Sequence, residues 1–332
     1  MSLVQGSEFG SAAKHLAIVL VSRGCAATLG DMLEEIARQQ GAAAAAGVRL
    51  TLRLVLDQPL DAAYDSVFRN ALAQGLDLTY RTTDSIGPPA ARNVLIRWLL
   101  DDPPDAFHVL DDDEVPAEGW LALLLQLWER YPGEILTGPL LARSAHQSFL
   151  LRHGAFGRLR PLKSGARAPD AYIHNTLVPI AVARKLGPSF DERLTVCTGS
   201  DAAWFRSAAA AGFTIRYFPE FAVYETLTAE QQRLRIVVAR WIFNGKAGTI
   251  AGRLHQPGAL GALRLFGYNL AKGGYGALKL VGNALVFSPD QALLGLRIMM
   301  SATGSILGLF VPLPRAYEGA GRPEAKRAPA IE

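Results

Sequence analysis

The sequence predicts an α/β domain with a mixed, mostly parallel sheet wound with helices, followed by an apolar helical extension. Three observations predict it. Apolar runs of strand length recur through the first half, as expected of strands buried on both faces. Segments with helical periodicity alternate with them, which is the order of a parallel sheet. Beyond Pro257 the composition shifts to Leu, Gly and Ala.

The first strand is read at 16–21, Leu-Ala-Ile-Val-Leu-Val, and ends at Ser22-Arg23-Gly24. A helix follows, with Thr28 as N-cap and Leu29, Met32, Leu33 and Ile36 on one face. Residues 40–47 are alanine-rich and read as a loose linker. Leu/Val alternating with Arg/Thr over 50–56 predicts a second strand ending in Asp57, and 76–80 a third. Gly87-Pro88-Pro89-Ala90-Ala91-Arg92-Asn93 opens a helix, because proline suits a first turn and Val94, Leu95, Trp98 and Leu99 repeat at helical spacing. A strand at 107–110 runs into Asp111-Asp112-Asp113-Glu114-Val115-Pro116. A helix at 120–128 and a strand at 135–138 come next. Residues 143–171 are basic and Gly-rich, and are predicted to be irregular and mobile. Asp201 stands near the start of a helix over 202–211 that Gly212 terminates. Thr228, with Gln231 three residues on, reads as the capping box of a helix over 229–244.

At 332 residues, 50% hydrophobic and 19% charged, the chain has ample material for a large core. The net charge of +4 comes mostly from arginine in the second half, a residue suited to planar anions such as phosphates. No basic segment interleaved with aromatics is present, so no nucleic-acid partner is expected. Cys25 and Cys197 have no metal-type spacing and read as reduced thiols. Residues 1–13 lack a cationic segment followed by an apolar one, so no signal peptide is expected there, and their Gly-Ser and Glu-Phe pairs resemble a cloning remnant. Residues 318–332 read as a disordered tail.

Four consecutive acids at a strand end repel one another unless a cation or hydrogen-bond donors offset the charge. They read either as a metal site or as a solvated acidic turn, with Glu114 the most solvated. In wound sheets the ligand lies beyond the carboxyl ends of the strands. Ser22, Asp57 and Asp111–Asp113 all fall at such ends. Asp57 is otherwise a turn residue before Pro59, Arg92 otherwise a solvated helix-face arginine, Glu225 otherwise half of a salt bridge, and Asp201 otherwise an ordinary first-turn acid. His108 reads as a buried strand residue, and Trp204 and Trp241 as core. Residues 22–30 lack the Gly/Lys-rich phosphate segment that nucleotidyl transfer would need.

From about Leu16 to Gly248 these pieces, in this order, resemble glycosyltransferase family 2, inverting nucleotide-sugar enzymes of the GT-A fold. The matching elements are 18–29, Asp57, Gly87 to Asn93, Asp111-Asp112-Asp113 with Trp120, Asn175-Thr176-Leu177, Phe190-Asp191-Glu192, Ser200-Asp201, Tyr224-Glu225 and Arg240…Gly245. Two positions depart from the family: Val21-Ser22-Arg23-Gly24 replaces its first turn, and Ser200 replaces an acid. The resemblance implies Asp201 as general base, Ser22, Asp57, Arg92, Asp111 and Asp112 at the nucleotide, and Asp111, Asp113 and Glu225 at Mn²⁺ or Mg²⁺. It implies a metal-dependent transfer from a nucleotide-sugar, a UDP-sugar, to a saccharide or lipid-linked acceptor, as in bacterial exopolysaccharide assembly. The departure at Ser200 raises the alternative of a degenerate relative that scaffolds a synthase complex.

The expected division is 1–14 tag-like, 15–256 catalytic, 257–317 membrane-associating and 318–332 disordered. Ser288-Pro289-Asp290-Gln291 is a strong helix start, and the apolar helix after it carries Arg297, costly at bilayer depth. The segment 260–286 mixes Arg264, Lys272 and Lys279 with apolar residues. Both helices are therefore expected to lie in the bilayer interface, peripheral to the cytoplasmic face of the inner or plasma membrane. Packing on the catalytic domain or across a homodimer is the alternative.

Overall fold

The apolar run at 16–21 becomes the central strand β1 (His15–Ser22). The computed structural model describes residues 13–23, 26–83, 87–157, 159–194, 199–255 and 259–310. After β1 come α1 (Ala26–Gln39), α2 (Gly41–Ala45), β2 (Arg49–Leu56), α3 (Ala62–Ala73), β3 (Leu78–Thr82), α4 (Pro88–Asp101), β4 (Ala106–Val109) and β5 (Glu114–Pro116). The middle of the chain holds α5 (Trp120–Arg130), β6 (Ile135–Thr137), β7 (Leu140–Arg143), α6 (Phe149–Arg152), β8 (Ala166–Arg167), β9 (Thr176–Pro179) and α7 (Ile180–Leu186). A 3-10 turn (Glu192–Leu194), α8 (Ser200–Ala210), β10 (Ile215–Tyr217) and β11 (Val223–Thr226) precede three long helices, α9 (Leu234–His255), α10 (Ala259–Leu285) and α11 (Pro289–Phe310). Expectations for residues 1–12 and 311–332, and for both cysteines, lie outside the described residues.

The main sheet has the order β3-β2-β1-β4-β9-β6-β10-β8. β3, β2, β1 and β4 run parallel, and β9 enters antiparallel between β4 and β6. A smaller sheet, β5-β11-β7, stands beside it. Side chains alternate across β1. Leu16, Ile18 and Leu20 join Met32, Phe68 and Trp120 on one face, while Ala17 and Val19 join Leu99, Val182 and Phe205 on the other.

Several local expectations need correction. Residues 40–47 are not a loose linker, since α2 occupies most of them and alanine is the best helix former. Thr28 lies inside α1 rather than capping it. A helix unread in the sequence, α3, follows β2, and its N-cap Asp61 accepts from Ala63 N (2.9 Å) and Tyr64 N (3.0 Å). The third strand starts later than read, at Leu78. The stretch 143–171 carries α6 and β8 rather than being wholly irregular. The Thr228–Gln231 box forms, with Gln231 Oε1 accepting from Thr228 N at 2.8 Å, but it closes a turn and the helix begins only at Leu234.

Small residues let the last helices approach closely. Gly245 faces Ser301 and Ser305, Gly304 faces Ile242, and Gly308 faces Lys246, so α9 and α11 meet backbone to backbone. Gly276 and Gly295 do the same between α10 and α11. Among the described residues, α11 is the one helix long and apolar enough to cross a bilayer. α10 leaves Leu263, Leu278, Leu285 and, just past its end, Phe287 exposed.

His108 is fully buried in β4, edge-on to Trp120 (4.8 Å) and Phe221 (5.5 Å). Burial pushes its pKa down to about 3. The unfolded chain takes up this proton near pH 6.5 and the folded chain does not, so the stabilisation is complete above pH 6.5 and is lost as pH falls toward 3. Stability should therefore fall by roughly 1.4 kcal/mol per pH unit over that window from this group alone. Urea midpoints at several pH values check this, and His108→Leu should flatten the slope. An unchanged slope would reject it.

Candidate active site

Because β1, β2 and β4 run parallel, their carboxyl ends open on one edge, where Ser22, Asp57 and Asp111 gather. The Asp57 amide donates to Ser22 O at 3.0 Å, closing the ends of β1 and β2. Asp112 Oδ2 accepts from Ser22 Oγ at 2.5 Å and from Arg23 N at 3.2 Å. Ser22 Oγ also lies 2.8 Å from Tyr64 Oη. The middle acid of the cluster is thus held against the first turn.

Asp57 is buried; it accepts from Gly87 N at 3.2 Å and sits 3.8 Å from Arg23. Gly87 has φ +89°, a conformation glycine adopts without a Cβ clash, and it launches α4 directly over Asp57. Burial raises the Asp57 carboxyl above its ordinary range against the opposing pull of Arg23. Burial likewise raises Asp112, with the neighbouring Asp113 adding to it and the Ser22 hydrogen bond opposing it. Half-dehydrated acids of this kind suit hydrogen bonding to a polar ligand.

Glu114 departs from its reading as a solvated residue. It is fully buried and accepts from Asp111 N at 3.1 Å, because the chain turns straight back into β5 after the acids. In the small sheet Glu114 stands opposite Glu225, whose carboxylate lies 3.7 Å from Arg240. Asn175, fully buried with φ +39°, accepts from Trp120 Nε1 at 2.9 Å and donates to Phe221 O. This latch joins α5 to the start of β9 and to the turn before β11.

Beyond Asp111 opens a cleft of about 570 Å³. Arg92, Asp111, Ser200 and Asp201 line it, and α9 and α11 supply Asn244, Gly248 and Arg297. Asp201 sits in the first turn of α8, where the helix dipole favours an anion, and accepts from Ala202 N (2.8 Å) and Ile173 N (3.4 Å). Arg92 Nη1 donates to Ser200 Oγ at 3.2 Å. Asn93, its neighbour, bonds Phe190 O (3.0 Å) and Glu192 Oε1 (2.9 Å), which ties the 190–192 turn to α4.

Among the described residues no group of three or more His, Cys, Asp or Glu converges to hold a metal alone. Two hard carboxylates, Asp111 and Asp113, are nevertheless what Mg²⁺ or Mn²⁺ uses when substrate phosphates complete its shell. The donor chemistry therefore fits such an ion.

No protein-family model and no curated protein matches the sequence. Solved structures do match the architecture. The mannosyltransferase PcManGT from Pyrobaculum calidifontis, in complex with GDP-Man and Mn2+, aligns with TM-score 0.55 and 16% identity over 87% of this chain and 86% of that one. The fold is GT-A. S. aureus TarS aligns with TM-score 0.48 and 12% identity, and this chain, covered over 86%, spans 55% of that one. GalNAc-T7 with UDP, GalNAc and Mn2+ aligns with TM-score 0.49 and 12% identity over 72% of this chain and 51% of that one.

On this GT-A frame the structure gathers the predicted residues into two neighbouring groups. Ser22, Asp57 and Asp112 form the first, while Arg92, Asp111 and Asp201 face the cleft. Glu225 does not line the cleft wall. Sequence reading missed Arg160, Arg206 and Arg297 on that wall. The available signals were the arginine excess of the second half and Arg297, an arginine in an otherwise apolar helix.

Proposed function

We propose that this GT-A protein is a metal-dependent, inverting glycosyltransferase of the family 2 type. It would move a sugar from a UDP-sugar to a saccharide or lipid-linked acceptor in cell-surface polysaccharide or glycolipid synthesis. The observation that carries the reading is the single cleft at the parallel strand ends that holds Asp111, Arg92 and Asp201 together. The complex of PcManGT with GDP-Man and Mn2+ adds support. UDP rather than GDP rests on Asp57, the position that reads a uracil-type base in the resembled family.

In this mechanism Asp57 and Asp112 hold the nucleoside. Asp201 accepts the proton of the acceptor hydroxyl as its oxygen bonds to the anomeric carbon. The bond from that carbon to the diphosphate oxygen breaks on the opposite face, so configuration inverts. Arg92 faces the charge that develops on the diphosphate. Asp111 and Asp113, with Glu225 as a further candidate, would hold Mn²⁺ or Mg²⁺, which when bound supplies neutralising charge to the leaving group. The exposed apolar face of α10, with Phe287, supports a peripheral placement on a membrane surface.

The test is incubation of the full chain with UDP-sugars and Mn²⁺ or Mg²⁺. Donor hydrolysis or transfer is expected, abolished by EDTA and by Asp113→Asn. Absence of nucleotide binding with every donor would overturn the reading. A second reading, a degenerate scaffold subunit, is favoured by Ser200, which stands in the acid's place and accepts from Arg92. Absence of metal-dependent UDP affinity in calorimetry would favour it over the enzyme.

A further inference from the structure

The cleft has a basic wall of three arginines to which the mechanism above gives no role. Arg160, Arg206 and Arg297 line it together with Asp201, and they come from the 143–171 segment, from α8 and from α11. The nucleoside group of Ser22, Asp57 and Asp112 is bonded up at the β1–β2 end and shares none of these arginines. Arg160 and Arg206 divide one carboxylate, Asp170, at 2.9 and 3.9 Å. Arg160 Nη2 is buried without a hydrogen-bond partner. Nearby Lys272 of α10 is held below its ordinary pKa, chiefly by burial and then by repulsion from Arg297. Three guanidiniums line the same cleft as Asp201, and planar guanidinium forks match phosphate oxygens. A neutral sugar hydroxyl would not need such a wall.

We propose that Arg160, Arg206 and Arg297 bind a phosphate or diphosphate on the acceptor, so that the hydroxyl reaching Asp201 belongs to an anionic molecule. This rests on the glycosyltransferase reading above. Two sources share the chemistry, a lipid diphosphate headgroup and a soluble phosphate.

Calorimetry on the full chain in EDTA, which silences any metal-borne donor site, would use inorganic diphosphate and farnesyl diphosphate as probes. Binding is expected, and it should weaken about tenfold or more in Arg297→Gln and in Arg206→Gln, with Arg297→Lys retaining part of the affinity. The Arg206 side chain is 51% exposed, so that variant keeps the test open should Arg297→Gln misfold. Tighter binding of farnesyl diphosphate assigns the site to a lipid headgroup, and equal binding to a soluble phosphate. No diphosphate binding by the native chain, or binding unchanged in both Gln variants, would overturn the proposal. UDP–Mn²⁺ binding by the same variants in EDTA-free buffer reads the donor hypothesis separately. Its absence, with arginine-dependent diphosphate binding intact, would strike that hypothesis and leave the anion site standing.

Discussion

Asp201→Asn should slow glycosyl transfer by about 10²–10⁴-fold while UDP affinity stays near the native value. The substitution keeps size and one acceptor oxygen, so the 2.8 Å contact from Ala202 N can persist while the 3.4 Å contact from Ile173 N is given up. The main loss is the ability to take a proton. The nucleoside contacts at Ser22, Asp57 and Asp112 lie in a different group and should be untouched. Steady-state transfer rates beside UDP titration separate these effects. Turnover retained within a few-fold would remove Asp201 from the mechanism, and the base would have to be sought elsewhere on the cleft.

Gly138→Ala should cost about 3 kcal/mol or more, which for a protein of 332 residues means a fall in Tm of about 4 °C. Gly138 links β6 to β7, where the main sheet hands the chain to the small one. Its amide donates to Asn175 O at 3.1 Å, and an added Cβ would land on the Phe221 carbonyl oxygen, 2.5 Å from Asn175 Nδ2. Phe221 O is the group that Asn175 already bonds, so the latch to Trp120 has no room to yield. Gly282→Ala in α10 is the matching control, since nothing lies within 4 Å of its new methyl group. Helix propensity alone should make that change stabilising by up to about 1 kcal/mol. Thermal unfolding of both variants checks the pair, and a Gly138→Ala protein melting with the native chain would refute the close contact.

The strand at 16–21 was legible because both faces of a central strand are buried, which leaves a continuous apolar signature, and the strand at 50–56 because Leu/Val alternate with Arg/Thr. The alanine run at 40–47 was not, because alanine has no side chain with which to show a face. The acids show a second limit. Charge-run reasoning treats Asp111 to Glu114 as one object, yet the chain divides them: Asp112 turns to Ser22, Asp111 faces the cleft and Glu114 is buried in β5. Only the tight return into β5 makes that division, and return geometry leaves no periodic trace. Arg297 shows a third limit. Along the sequence it reads as a penalty in an apolar helix, whereas across space it lines the same cleft as Asp201.

The glycine contacts between α9 and α11 bear on how this protein can be handled. An apolar C-terminal helix invites deletion to improve solubility. Here that cut would strip the partner from Gly245, open the seam along Ile242 and Lys246, and take Arg297 out of the cleft. A shortened protein that fails to turn over would then say nothing about lipid attachment. Point changes on the exposed side of α10, such as Leu278→Glu, alter the outer surface while leaving the seam intact.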